Sequence, residues 1–411
     1  MKYCLLAITI ASSFSIHAHD IGHPHEHVEG GWNTSAGFVS DTDTKAQLWN
    51  PRGKSEAEVN ERVAYLVPLL DAARVPEEEA KDLAFRAKFE NAIYINSILP
   101  SAAGIVANTS EHYLNALERN KAAGVTMASS TVWAFPGSGD LDQTIIDSLK
   151  VIEKLNMIAV TGVDSIREAK STDNMAVLFN TQGADFVIDD VKAGVQKAKD
   201  NNILIMNFVY NKNNALAGGG SAQDMGVTEL GKDFIRQANE KGIVVDVSHS
   251  SNQTAIDAAK WSVKPILASH SNAYGVHSVS RNMTDEAILA VGETGGAVCS
   301  TGIGLFLNAE GDADPLRFVE HVVYTANLIG RDKTCFSTDY VHNYEDYLKQ
   351  NLPKTEVYPP ELGFGAPMAN VTVEQGWAVA RILQEDHGWS DAEIRGFLGE
   401  NLMRVYAANW K

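Results

Sequence analysis

Eight short β-like apolar runs recur along most of this chain, each followed by a stretch long enough for a helix. They fall at Ala92–Ile98, Gly124–Ser130, Met175–Asn180, Ile203–Phe208, Ile243–Ser248, Ile266–Ser269, Gly296–Ser300 and Thr334–Thr338. Near-continuous apolar strands of this length are buried on both faces, which is how parallel strands read. Strand and helix in eightfold alternation predict an α/β fold, a closed (β/α)8 TIM-like barrel with an N-terminal extension; a doubly wound open sheet is the competing arrangement. The intervening segments carry helix signals. Glu229 to Glu240 is helical in pattern, and Gly242 stands where a left-handed cap is needed.

The expected organisation is a signal peptide at 1–18, a His-rich irregular tail at 19–54, a helical arm at 55–90 and the barrel at 91–411. Lys2, the apolar stretch Leu5 to Phe14 and Ile16-His17-Ala18 make the export signal, which implies a periplasmic or secreted protein. That stretch is too short to span a bilayer, so stable membrane insertion is not expected. The tract from His19 to His27 has imidazoles that bind metal, but a tail offers no fixed geometry, and a solvated tail is the alternative. Ser55 and Glu58 form a capping box, and Val59, Val63, Leu66 and Leu70 follow at helical spacing. The formal net charge of −18 opposes a nucleic-acid partner, because like-signed fields repel. A small-molecule or dipeptide partner is expected, and a homodimer stays open. Cys299 and Cys335 fall in neighbouring strands; buried free thiols are favoured there over a disulfide.

In such barrels, chemistry gathers at the C-terminal ends of the strands. Two consecutive runs deliver a histidine at that end, Asp246-Val247-Ser248-His249 and Leu267-Ala268-Ser269-His270. Parallel neighbours lie about 4.8 Å apart, so both imidazoles can reach one cation. A lone strand histidine is usually structural; two in succession point to metal. Asp339 ends the eighth run, placed for proton transfer to and from a metal-bound water. An Asp after a strand otherwise caps a helix. Arg281 lies in a polar loop on the same rim, where its fork suits a substrate carboxylate. The loop Asn211 to Gly220 reads as a lid or specificity element. No P-loop, serine nucleophile elbow or H-E-x-x-H motif occurs.

The block from Gly226 to Asp285, with Ser248-His249, Ser269-His270-Ser271 and Arg281-Asn282, resembles the membrane (renal-type) dipeptidase family, peptidase family M19, across about residues 85 to 407. The resemblance implies a barrel of the metal-dependent hydrolase type. It makes His249 and His270 zinc ligands, Asp339 the acid/base, and Arg281 and Asn282 substrate contacts. The first half departs from the family. Asn96 and Ile98 stand where its first strand carries a histidine and an aspartate. Gln182 replaces a glutamate that bridges two zincs, and Tyr210, followed by Asn211, replaces a substrate-contacting histidine. One zinc is therefore expected in place of two, because a neutral amide bridges two dications poorly. Tyr210 can still donate to a developing oxyanion. The expected activity is cleavage of a dipeptide or similar small amide. Two alternatives stay open: a catalytically silent barrel binding a small ligand or metal, and a mononuclear hydrolase of another cyclic amide or lactone.

Overall fold

The computed structural model describes residues 49–71, 76–105, 108–221 and 225–410, so the segment expected to be an export signal and the His-rich tract lie outside the described residues. The strands are β1 Ile95–Leu99, β2 Met127–Trp133, β3 Ile158–Ala159, β4 Ala176–Thr181, β5 Ile203–Asn207, β6 Val244–Asp246, β7 Leu267–Ala268, β8 Ala297–Ser300 and β9 Thr334–Phe336. Every pairing is parallel, in the order β1-β2-β4-β5-β6-β7-β8-β9, with β3 a two-residue addition beside β4. Eight of the nine are the eight expected runs. Alternating helices wrap them into a nearly closed (β/α)8 barrel.

Alternation along the strands sorts the interior into levels. Ile95, Met127, Leu178, Ile205, Val244, Leu267 and Ala297 share one buried apolar cluster, sealed below by Met403, Tyr406 and Trp410 of the C-terminal segment. Two residues further along β2 and β4 the same face carries Ser129, Thr131 and Asn180, joined by hydrogen bonds. The core thus changes from apolar to polar toward the rim that bears the histidines. Residues of opposite parity, such as Ala128, Val177 and Val245, belong to the larger core between strands and helices.

Cys299 and Cys335 are direct partners in the β8–β9 register and form a disulfide. This corrects the expectation of free thiols: pairing in register brings both side chains to the same face, with Cα atoms 4.1 Å apart.

Asn96 is a second correction. Its strand partner is Ala128, so it faces outward, and a bulge between Asn96 and Leu99 shifts the residues that follow. Its amide nitrogen donates to Asn120 Oδ1 on helix Ser110–Ala122 and to Thr338 Oγ1. Its oxygen accepts from Thr338 N and Oγ1. Among the described residues no strand ladder joins β9 to β1, and this side chain spans that seam.

The helix Glu56–Leu66 begins with the Ser55/Glu58 capping box and buries Val59, Val63 and Leu66 against Tyr344, Leu348 and Leu352 of the segment after β9. The helix Glu229–Lys241 ends at Gly242 with φ of 71°. No helix among the described residues is long and apolar enough to cross a membrane.

Candidate active site

A cavity opens at the C-terminal ends of the strands. Gln182, Tyr210, Asn211, His249, Arg281 and Asp339 line it. Three of these, Asn211, His249 and Asp339, have φ of 58°, 65° and 54°. Left-handed backbone is uncommon outside glycine and costs roughly 1 kcal/mol or more per residue, so its concentration here marks a built site.

His249 follows β6. Its Nδ1 lies 2.7 Å from Asn211 Oδ1, and the Asn211 amide nitrogen donates to Val357 O, which fixes the amide with oxygen toward the ring. Nδ1 therefore carries the proton. Burial pushes this imidazole well below its ordinary pKa, and Arg281 and His270 push it further, so it is neutral. Its Nε2 lies at hydrogen-bonding distance from Gln182 Oε1, 2.9 Å, while the Gln182 nitrogen donates to Thr131 Oγ1. Tyr210 stacks on the ring with centroids 4.1 Å apart.

His270 is fully buried beneath His249, at 4.8 Å between ring centroids. Burial and then Arg281 hold it neutral as well. Its Nδ1 is 2.6 Å from Ser269 Oγ, and Ser269 also bonds the buried Asp246 carboxylate. Its Nε2 has no partner.

Arg281 is partly buried. It donates to Ser271 Oγ and to the His270 carbonyl, and its Nε is unsatisfied. Burial lowers its pKa against the opposing pull of Asp339. Asp339 is pushed up to about 7 by burial, with Arg281 opposing. Above His249 three tyrosines form a chain: Tyr347 donates to Tyr358, and Tyr358 and Tyr210 hydroxyls are 3.0 Å apart. The Tyr358 oxygen accepts from Tyr347, and either hydroxyl of the Tyr358–Tyr210 pair can donate to the other.

Other expected site residues lie elsewhere. Asn282 does not line the cavity; its amide nitrogen donates to the His277 and Phe306 carbonyls and ties the loop down. Asn96 faces the helices. The glycine run after Asn211 is scaffold and not lid: a side chain on Gly219 would meet Asn211 O at 2.2 Å, and Gly220 N donates to His249 O. Tyr347 and Tyr358 were missed. They come from the irregular segment after β9, whose only hint was its aromatic content.

Two imidazoles with an amide oxygen beside them are the donors this rim offers to a metal ion. Two imidazoles on one tetrahedral ion with bonds of ~2.0 Å have ring centres roughly 5 Å apart, as His249 and His270 do. The unpartnered Nε2 of His270, and Nε2 of His249 with Gln182 Oε1 beside it, are the atoms that would face an ion. Among the described residues no group of three or more His, Cys, Asp or Glu stands close enough to hold a metal.

A parallel barrel with its polar site at the C-terminal strand ends is the architecture of a large class of barrel enzymes. Within that class, residues 141–352 match the model of the membrane dipeptidase family, peptidase family M19. The chain belongs to that family, which is one of metal-dependent hydrolases. Solved structures share the fold. An amidohydrolase from Pseudomonas aeruginosa is 24% identical, covering 79% of this chain and 98% of its own, with a TM-score of 0.69. The probable dipeptidase PvdM from Pseudomonas aeruginosa is 15% identical, covering 82% and 99%, with a TM-score of 0.62. A metallo peptidase from Rhodobacter sphaeroides, liganded with a phosphinate mimic of the dipeptide L-Ala-D-Ala, is 16% identical, covering 78% and 100%, with a TM-score of 0.59.

Proposed function

We propose that the protein hydrolyses a small amide bearing a carboxylate, with one zinc ion held by His249 and His270 and with the Gln182 oxygen beside them. The observation that carries this is the meeting of a neutral His249, a partly buried Arg281 and a high-pKa Asp339 on one cavity. When bound, the ion supplies Lewis acidity to the scissile carbonyl and acidifies water.

The chain's own residues do the rest. Arg281, with an unsatisfied Nε, receives the substrate carboxylate and sets its direction. Asp339, titrating near neutrality, takes the proton of the attacking water and returns it to the leaving amine. The Tyr210 hydroxyl donates to the oxygen that gains charge. Asn211 holds His249 in the tautomer that leaves Nε2 open, and Ser269 does the same for His270.

Elemental analysis of zinc-loaded protein, paired with a hydrolysis screen of small carboxylate-bearing amides, tests this. One equivalent per chain is expected, with turnover lost in His249→Ala and His270→Ala. Two equivalents mean that other residues replace the first-strand ligands; no metal and no turnover leave a silent ligand-binding barrel.

A further inference from the structure

Of the Lys, Arg, Asp and Glu side chains among the described residues, Arg281 and Asp339 line the cavity. The other walls are mainly apolar or aromatic, among them Ile105, Phe135, Leu305, Tyr344, Phe364 and Met368. A further cation stands near the mouth, Lys354 Nζ at 5.4 Å from the Phe135 ring centroid.

A dipeptide brings two charges, a carboxylate and an ammonium. Arg281 answers the first. For the second the cavity offers Asp339 alone, and Asp339 cannot stay a fixed counter-ion while it carries the proton of the reaction. An ammonium stripped of water against apolar walls without a dedicated partner is strongly disfavoured. An acyl chain is favoured there by the same surfaces.

Resting on the reading of this cavity as a substrate site, we propose that its ligand is an N-acyl amino acid with an apolar acyl group, and not a dipeptide with a free amino terminus. Hydrolysis then breaks the amide C–N bond. The acyl carbon gains the oxygen of water to give a carboxylic acid, and the amino acid nitrogen takes the proton.

A matched pair isolates the ammonium: N-(3-phenylpropanoyl)-alanine and phenylalanyl-alanine differ only in the α-amino group. Binding of each, with L- and D-alanine, is measured calorimetrically on the chelator-treated full-length chain, and hydrolysis is followed in parallel on the zinc-loaded protein. The acyl compound is expected to bind at least about tenfold more tightly, a modest share of the cost of burying an ammonium. A ratio below tenfold, or reversed, overturns the inference. Turnover of the dipeptide with that result leaves the hydrolase reading standing. A tenfold preference without turnover of either compound sinks the hydrolase reading and keeps the ligand class.

Discussion

Replacing Arg281 with methionine separates what this side chain does for a ligand from what it does for the fold. The guanidinium is partly buried, hydrogen-bonded among the described residues to Ser271 Oγ and the His270 carbonyl, and one of its nitrogens is unsatisfied. A buried charge pair lost on one side costs about 2–4 kcal/mol of binding, so affinity for a carboxylate-bearing ligand should fall roughly 30- to 1000-fold. Stability should behave differently. Methionine fills similar volume without a desolvated charge, and Asp339, whose carboxyl already titrates near 7, takes up a proton when the opposing cation goes. No uncompensated charge is left, and the free energy of unfolding at pH 7 should hold or rise by up to about 2 kcal/mol. Calorimetric titration with N-(3-phenylpropanoyl)-alanine and urea unfolding read the two effects. Binding reduced less than fivefold, or stability lowered by more than about 1 kcal/mol, refutes the reasoning.

Three further outcomes are expected. In metal-free protein the Asp339 carboxyl, followed as the infrared difference between wild type and Asp339→Asn, should titrate near pH 7, ionising as pH rises through that value. In Arg281→Met it should move higher, because the guanidinium favours the ionised form; titration near pH 4 in wild type contradicts the burial argument. Ser269→Ala removes the partner of His270 Nδ1 and should weaken zinc affinity about 10- to 100-fold in a chelator competition, with unchanged affinity counting against this role. The Cys299–Cys335 disulfide closes a loop of sequence separation 36, so Cys299→Ala with Cys335→Ala should lower stability by about 4 kcal/mol on the chain-entropy account. A loss below about 1 kcal/mol in urea unfolding rejects that account.

The barrel was legible because each strand is buried on both faces and reads as an apolar run. Ile158–Ala159 was not, since two half-covered residues carry no pattern. His249, His270, Arg281 and Asp339 could be placed at one rim because strand ends converge there. Their partners could not be read. The Asn211–His249 bond spans 38 positions in sequence and depends on a loop tied to Val357. Tyr347 and Tyr358 belong to a segment without periodicity, positioned by contacts no local signal encodes. Asn96 was misplaced for a single reason: in a strand, one position decides the face, and the bulge after it resets the count.

Asn96 also bears on how the barrel stays shut. At the gap between first and last strand, backbone bonding gives way to one amide gripping Thr338 from both its ends. A buried amide on the outward face of the first strand serves here as a buckle. Mutating it changes no ligand; it loosens the wall on which Asp339, the next residue after Thr338, is mounted.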